Sequence, residues 1–153
     1  MPLPTRVRRS AIRRVVGDPS DLALVFLGGC AGGAIRYAAG SVVETSLRFP
    51  WPVLAVNLAG AFVVCLALVL SESLTSSRRL RLFVGIGLCG SLTTMSSVVD
   101  FADRAFGHGR PEEAALYLAT TIFGGLAAGS FGLVVGRSIR ANRWRPLEER
   151  RER

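Results

Sequence analysis

Charged residues in this chain are confined to short islands, and the intervals between them are long and apolar. Pro52–Ser71, Leu82–Val99 and Ala114–Gly136 carry no charged side chain, and Leu22–Val43 carries only Arg36. A soluble domain spreads its charges along the sequence, whereas about 20 uncharged residues in a helix span a hydrocarbon core of roughly 30 Å. The pattern predicts an all-α membrane protein with four spans at about 22–43, 52–71, 82–99 and 114–136. A basic segment, 1–21, precedes this 22–136 domain and a basic tail, 137–153, follows it. A secretory signal ending near "AAG" at Ala38–Gly40 is a competing reading of the first stretch. Arg36 just before the supposed cleavage site and three further spans argue against it.

Composition sharpens this picture. Half of the 153 residues are hydrophobic, yet the formal net charge is +8, and all nineteen basic residues are arginine. Fifteen of them fall in the N-terminal segment, the link between spans two and three, and the tail. The opposite side has Arg48, Arg104 and Arg110. The positive-inside rule therefore predicts a multi-pass cell-membrane protein with both termini in the cytoplasm. Trp51 and Trp144 fall near span ends, where amphipathic rings prefer to sit. The arginine-rich tail reads as a topology signal beside anionic lipid, and no nucleic-acid partner is expected. Cys30, Cys65 and Cys89 lie in three different spans without CxxC spacing and read as small buried hydrophobes. No nucleophile has a base beside it, no carboxylate pair stands in a cleft-forming segment, and the sole histidine, His108, lies in a loop. An enzyme is not expected.

Small and polar residues then mark the functional candidates. In "GGCAGGAIRY" the pairs Gly28/Gly32 and Gly29/Gly33 are interleaved GxxxG spacings that let helices approach closely. Arg36, near the outer end of that span, either snorkels to anchor the helix or sets a fixed positive charge at the mouth of an anion path. Asn57 in "WPVLAVNLAGAF" needs a partner for its amide, as interhelical glue or facing a cavity. Tyr117 and Thr121 share a face of the fourth span with Gly125, while Thr120 and Thr121 are each able to bond their own i−4 carbonyl. "GIGLCG", Gly85–Gly90, matches GxGxxG but lacks the preceding strand that a nucleotide site requires. More informative is "GSLTTMSSV", where Gly90 is followed by Ser91, Thr93, Thr94, Ser96 and Ser97 in mid-span. Such residues predict a broken third helix, because non-helical backbone at this depth survives only against protein or a water-filled cavity. Freed carbonyls at such a break make a cation site.

At these residues the chain resembles the CrcB/Fluc fluoride channels. The resemblance covers residues 22–136 and rests on "GGCAGGAIRY", "PVLAVNLAGAF" and "GIGLCGSLTTMSS", in that order. It implies a fluoride-specific channel that lets cytoplasmic fluoride leave passively, built as an antiparallel dimer with a structural, untransported Na+ at its centre. By motif matching the Na+ would be held by the carbonyls of Gly90 and Thr93. Asn57, Tyr117, Thr121, Thr94, Ser96 and Ser97 would line the ion path, and Arg36 its vestibule. The residue types suit such an ion, because a small, strongly hydrated anion needs amide and hydroxyl donors in place of water.

One departure stands out. Where the family typically reads TTFSTF this chain reads "TTMSSV", so both phenylalanine positions are lost, as Met95 and Val98. The 15-to-3 arginine split is also unsuited to insertion in both directions. Both features predict one half of a heterodimer, paired with an inverted paralogue that supplies the ring edges. The alternatives are a non-conducting scaffold subunit of such a dimer, or a small four-span drug exporter. An exporter driven by protons needs an acid inside the bundle, and no Asp or Glu lies in any span.

Overall fold

The computed structural model describes residues 18–41, 49–72 and 77–148. The N-terminal arginines, Arg48, the side chain of Trp144 and the last five residues lie outside the described residues. The described chain is helical throughout. Helix α1 is Pro19–Ser41 and α2 is Trp51–Ser71. Helix α3 joins Ser77–Leu80, a wide-turned π-helical run Arg81–Cys89, and a last turn Gly90–Leu92. Helix α4 is Ser96–Gly107 and α5 is Pro111–Glu148. Four helical segments are long and apolar enough to cross a membrane, with α3 and α4 together forming the third, Arg78–Gly107. The protein is a multi-pass membrane protein.

Local chemistry sets the ends. Asp18 precedes Pro19, and its carbonyl accepts from the N–H groups of Asp21 and Leu22. Proline suits a first helical position because its missing N–H would be unpaired there anyway. Pro52 occupies the same region of α2. Helix α4 closes in a Schellman turn: Arg110 N–H donates to Ala105 O at 2.8 Å and Gly109 N–H to Phe106 O at 3.0 Å. Gly109 takes φ +68°, the left-handed value that this turn requires. Helix α5 runs on past Gly136, where the apolar pattern stops, through the arginines to Glu148.

Lipid gives helices no hydrophobic reason to associate, so close backbone contact must hold the bundle. Two glycine seams provide it. Gly28 and Gly32 of α1 lie against the carbonyls of Phe83 and Leu88 of α3, so tightly that a Cβ at either position would collide with them. Gly129, Gly132 and Gly136 of α5 likewise lie against Cys65, the Phe62 carbonyl and Val69 of α2. Side-chain packing concentrates at one end of the bundle, where Leu54, Val98, Phe101, Ala102, Ala105, Ala114 and Tyr117 are buried together. Large apolar residues such as Phe26, Phe123 and Phe131 point outward. That inverted surface is what a membrane solvent selects.

Candidate functional site

Between α3 and α4 the helical hydrogen bonding lapses. The last α3 bond runs from Thr93 N–H to Cys89 O at 3.0 Å, and the first of α4 from Val99 N–H to Met95 O at 3.0 Å. Thr93 itself is extended, at φ −77° and ψ 149°. Its hydroxyl bonds back to Cys89 O at 2.9 Å, and its methyl sits on Gly60 of α2, where a Cβ would collide. The junction lies at the third span's polar stretch.

Asn57 holds this junction. Its Oδ1 accepts from Thr94 N–H at 2.8 Å, and its Nδ2 donates to Thr94 O at 3.1 Å. A carboxamide presents one acceptor and a donor pair side by side, so it can bond both backbone groups of a single residue that has lost its helical partners. Thr94 Oγ1 accepts from Ser97 N–H at 3.3 Å and lies 3.1 Å from Ser96 Oγ and 3.2 Å from Ser97 Oγ. It thereby satisfies one of the open donors at the start of α4.

These diversions have a consequence for the carbonyls. Gly90 O would accept from Thr94 N–H in a continuous helix, but that donor goes to Asn57. Thr93 O would accept from Ser97 N–H, but that donor goes to Thr94 Oγ1. Both oxygens are therefore released from helical bonding, on opposite sides of the extended residue. Around Gly90 no atom lies within 4 Å of where a Cβ would stand, so this face of α3 is open.

A cavity of about 450 Å³ opens beside the junction. It is walled by Asn57, Gly90, Thr93, Thr94 and Met95 and, from α5, by Thr121. Here the two adjacent threonines of α5 part ways. Thr120 bonds its own helix at Leu116 O, 2.7 Å away, whereas Thr121 Oγ1 is buried without a hydrogen-bond partner. One turn earlier the Tyr117 hydroxyl is also buried without a partner. The Tyr117 ring is clasped edgewise by Phe49, at 5.1 Å and 86°, and by Phe101, at 4.8 Å and 66°. A buried polar atom without a partner costs about 1–3 kcal/mol, so these two hydroxyls lower the stability of the fold.

A match to known proteins accompanies this geometry. Residues 23–133 fit the family model described as CrcB-like protein, Camphor Resistance (CrcB). A Streptomyces avermitilis protein named fluoride-specific ion channel FluC 3 is 41% identical over 139 residues, 90% of this chain and 66% of the relative. This chain thus spans just under two thirds of that relative. The Thermus thermophilus fluoride-specific ion channel FluC is 36% identical over 118 residues, 76% of this chain and 94% of that one. Mycobacterium tuberculosis FluC 1 is 37% identical over 128 residues, with 82% and 97% covered. The chain belongs to the CrcB/Fluc family.

The family match extends over every candidate residue from Arg36 to Thr121. Six of them, Asn57, Gly90, Thr93, Thr94, Met95 and Thr121, meet at the cavity. Ser96 and Ser97 stand behind Thr94, bonded to it. Tyr117 lies with the buried aromatic group, and Arg36 is exposed on α1. The two positions that depart from the family pattern differ: Met95 is exposed, whereas Val98 is fully buried against the apolar cluster. Sequence reasoning missed Phe49, which no spacing rule ties to Tyr117. It also missed the choice of Thr94 as the partner of Asn57. The signal was present, since an Asn in an apolar span and a polar break in another are complementary needs. Cys30 is exposed, Cys65 half-buried and Cys89 buried, and none is in a disulfide. Among the described residues no three His, Cys, Asp or Glu side chains gather as a metal site.

Proposed function

We propose that this chain is a subunit of a fluoride-specific channel that lets cytoplasmic fluoride leave the cell passively and lowers its toxicity. The observation that carries the reading is Thr121 Oγ1, unpartnered at the junction cavity, with the Tyr117 hydroxyl unpartnered one turn earlier on α5. Hydroxyls without protein partners are donors available to a dehydrating anion, and membrane depth strengthens such bonds. The names of the relatives point to the same ion.

The reading includes an antiparallel dimer with a structural Na+ at its centre, held by the carbonyls of Gly90 and Thr93. Both oxygens have had their helical donors diverted, and the face around Gly90 is open, which suits a hard cation shared with a second subunit. When bound, the ion supplies fixed positive charge that compensates the converging carbonyl dipoles. The termini face the cytoplasm, on the strength of the arginine split. The same asymmetry, with Met95 and Val98 in place of ring-bearing residues, supports a heterodimer with an inverted paralogue. Fluoride efflux from liposomes, measured for this chain alone and co-expressed with such a paralogue, tests the proposal. Flux only in the pair supports it, robust flux from the chain alone removes obligate pairing, and no flux from either removes the channel reading.

A second reading, a scaffold subunit that conducts little, is favoured by Val98, whose full burial leaves no room there for a ring facing an ion. Thr121→Val in this chain discriminates, since it leaves the Asn57 clamp intact. Unchanged flux by the assembled pair would favour the scaffold.

A further inference from the structure

A second cavity, of about 370 Å³, lies away from the junction where α2, α3 and α5 leave the apolar layer. It is lined by Glu72, Arg81, Arg137 and Arg140, with apolar walls that include Leu68 and Leu133. Its depth is fixed by the sequence: α2 ends at Ser71, and Arg137 directly follows the last residue of the uncharged run in α5. Arg140 donates to Glu72 Oε2 at 2.6 Å. Among the described residues neither Arg81 nor Arg137 has an acidic partner. Three guanidinium groups thus share one carboxylate around an opening of small-ligand size, whose apolar side faces the membrane interior.

We propose that this cavity binds the phosphate of an anionic phospholipid headgroup in the leaflet facing the arginine-rich side. Guanidinium forks match phosphate oxygens in pairs, and basic pockets between membrane helices take such headgroups. The apolar wall argues for a lipid over a free phosphate, because it offers the acyl chains a surface continuous with the bundle. Arg140 is held by Glu72 and positions the rim, while Arg81 and Arg137 make the ligand contacts.

The test is native mass spectrometry of the full assembled protein in detergent, titrated with phosphatidylglycerol and, separately, with phosphatidylcholine. Replacing Arg81 and Arg137 together by Gln should weaken phosphatidylglycerol binding by about 30-fold, the value of two interfacial arginines. Phosphatidylcholine binding should not change. Glu72→Gln, which removes the competing carboxylate, should tighten phosphatidylglycerol binding. Arg137→Gln alone should weaken it, whereas Arg79→Gln, the same loss of one charge on an exposed residue outside the cavity, should leave it unaltered. Equal weakening by Arg79→Gln and Arg137→Gln would mean diffuse charge and overturn the proposal. Displacement of phosphatidylglycerol by glycerol phosphate alone would assign the cavity to a soluble phosphate and overturn the lipid.

Discussion

The hydroxyls at the α3–α4 junction and those on α5 differ in one respect: whether the protein satisfies them. At the junction, Thr93, Thr94, Ser96 and Ser97 bond to one another and to backbone, and Asn57 completes Thr94 on both sides. On α5, Tyr117 and Thr121 are as deeply placed but have no partner. Satisfied polar groups at membrane depth are architecture, since they allow the main chain to open without stranding its own N–H groups. Unsatisfied ones lower stability and persist only if something else uses them. The junction hydroxyls are thus spent on the fold, whereas the two on α5 are not.

The largest expected effect is at the clamp. Asn57→Ala strands both Thr94 N–H and Thr94 O, each worth about 1–3 kcal/mol, and should lower the thermal unfolding midpoint in detergent together with fluoride flux. Next come the glycine seams. Gly32→Ala drives a methyl into Leu88 O and should cost about 1–3 kcal/mol of stability, as overpacked sites do. Gly33→Ala, one residue away with nothing within 4 Å, should change the stability of the isolated subunit by less than about 0.5 kcal/mol. Any larger loss seen only in the assembled dimer would place α1 at its interface. Opposite in sign is Tyr117→Phe. Removing an unpartnered hydroxyl should leave the unfolding midpoint unchanged or raise it, by up to about 1 kcal/mol, while flux falls. A lower midpoint would mean that the hydroxyl serves the fold, and the contrast with the junction would dissolve.

Much of the architecture was legible in advance because the membrane leaves few choices. Three uncharged runs and a fourth interrupted only by Arg36 have the length of spans, and the GxxxG spacing of Gly28 and Gly32 marked a seam that α3 fills. The polar stretch after Gly90 is where Asn57 takes up the N–H and C=O of Thr94. Pair identity was not legible. Asn57 had to bond something, but that Thr94 receives both of its atoms depends on how α2 and α3 cross. Thr120 and Thr121 are alike in sequence, and only rotation of α5 decides which one bonds its own helix. The widened turns of Arg81–Cys89 had no pattern to announce them, because an i→i+5 ladder uses the same apolar residues as an ordinary helix. The reach of α5 to Glu148 was hidden by hydropathy, which reports where lipid ends and not where a helix does.

The central claim, that the α5 hydroxyls serve a passing anion and not the fold, is tested most directly by fluoride efflux from liposomes holding the assembled channel. The comparison is between wild type and the double variant Tyr117→Phe/Thr121→Val. Loss of two hydroxyl donors to the ion, each worth about 1 kcal/mol net in the rate-limiting step, predicts efflux slowed by about 30-fold, with the unfolding midpoint unchanged or raised. Wild-type efflux from the double variant would contradict it.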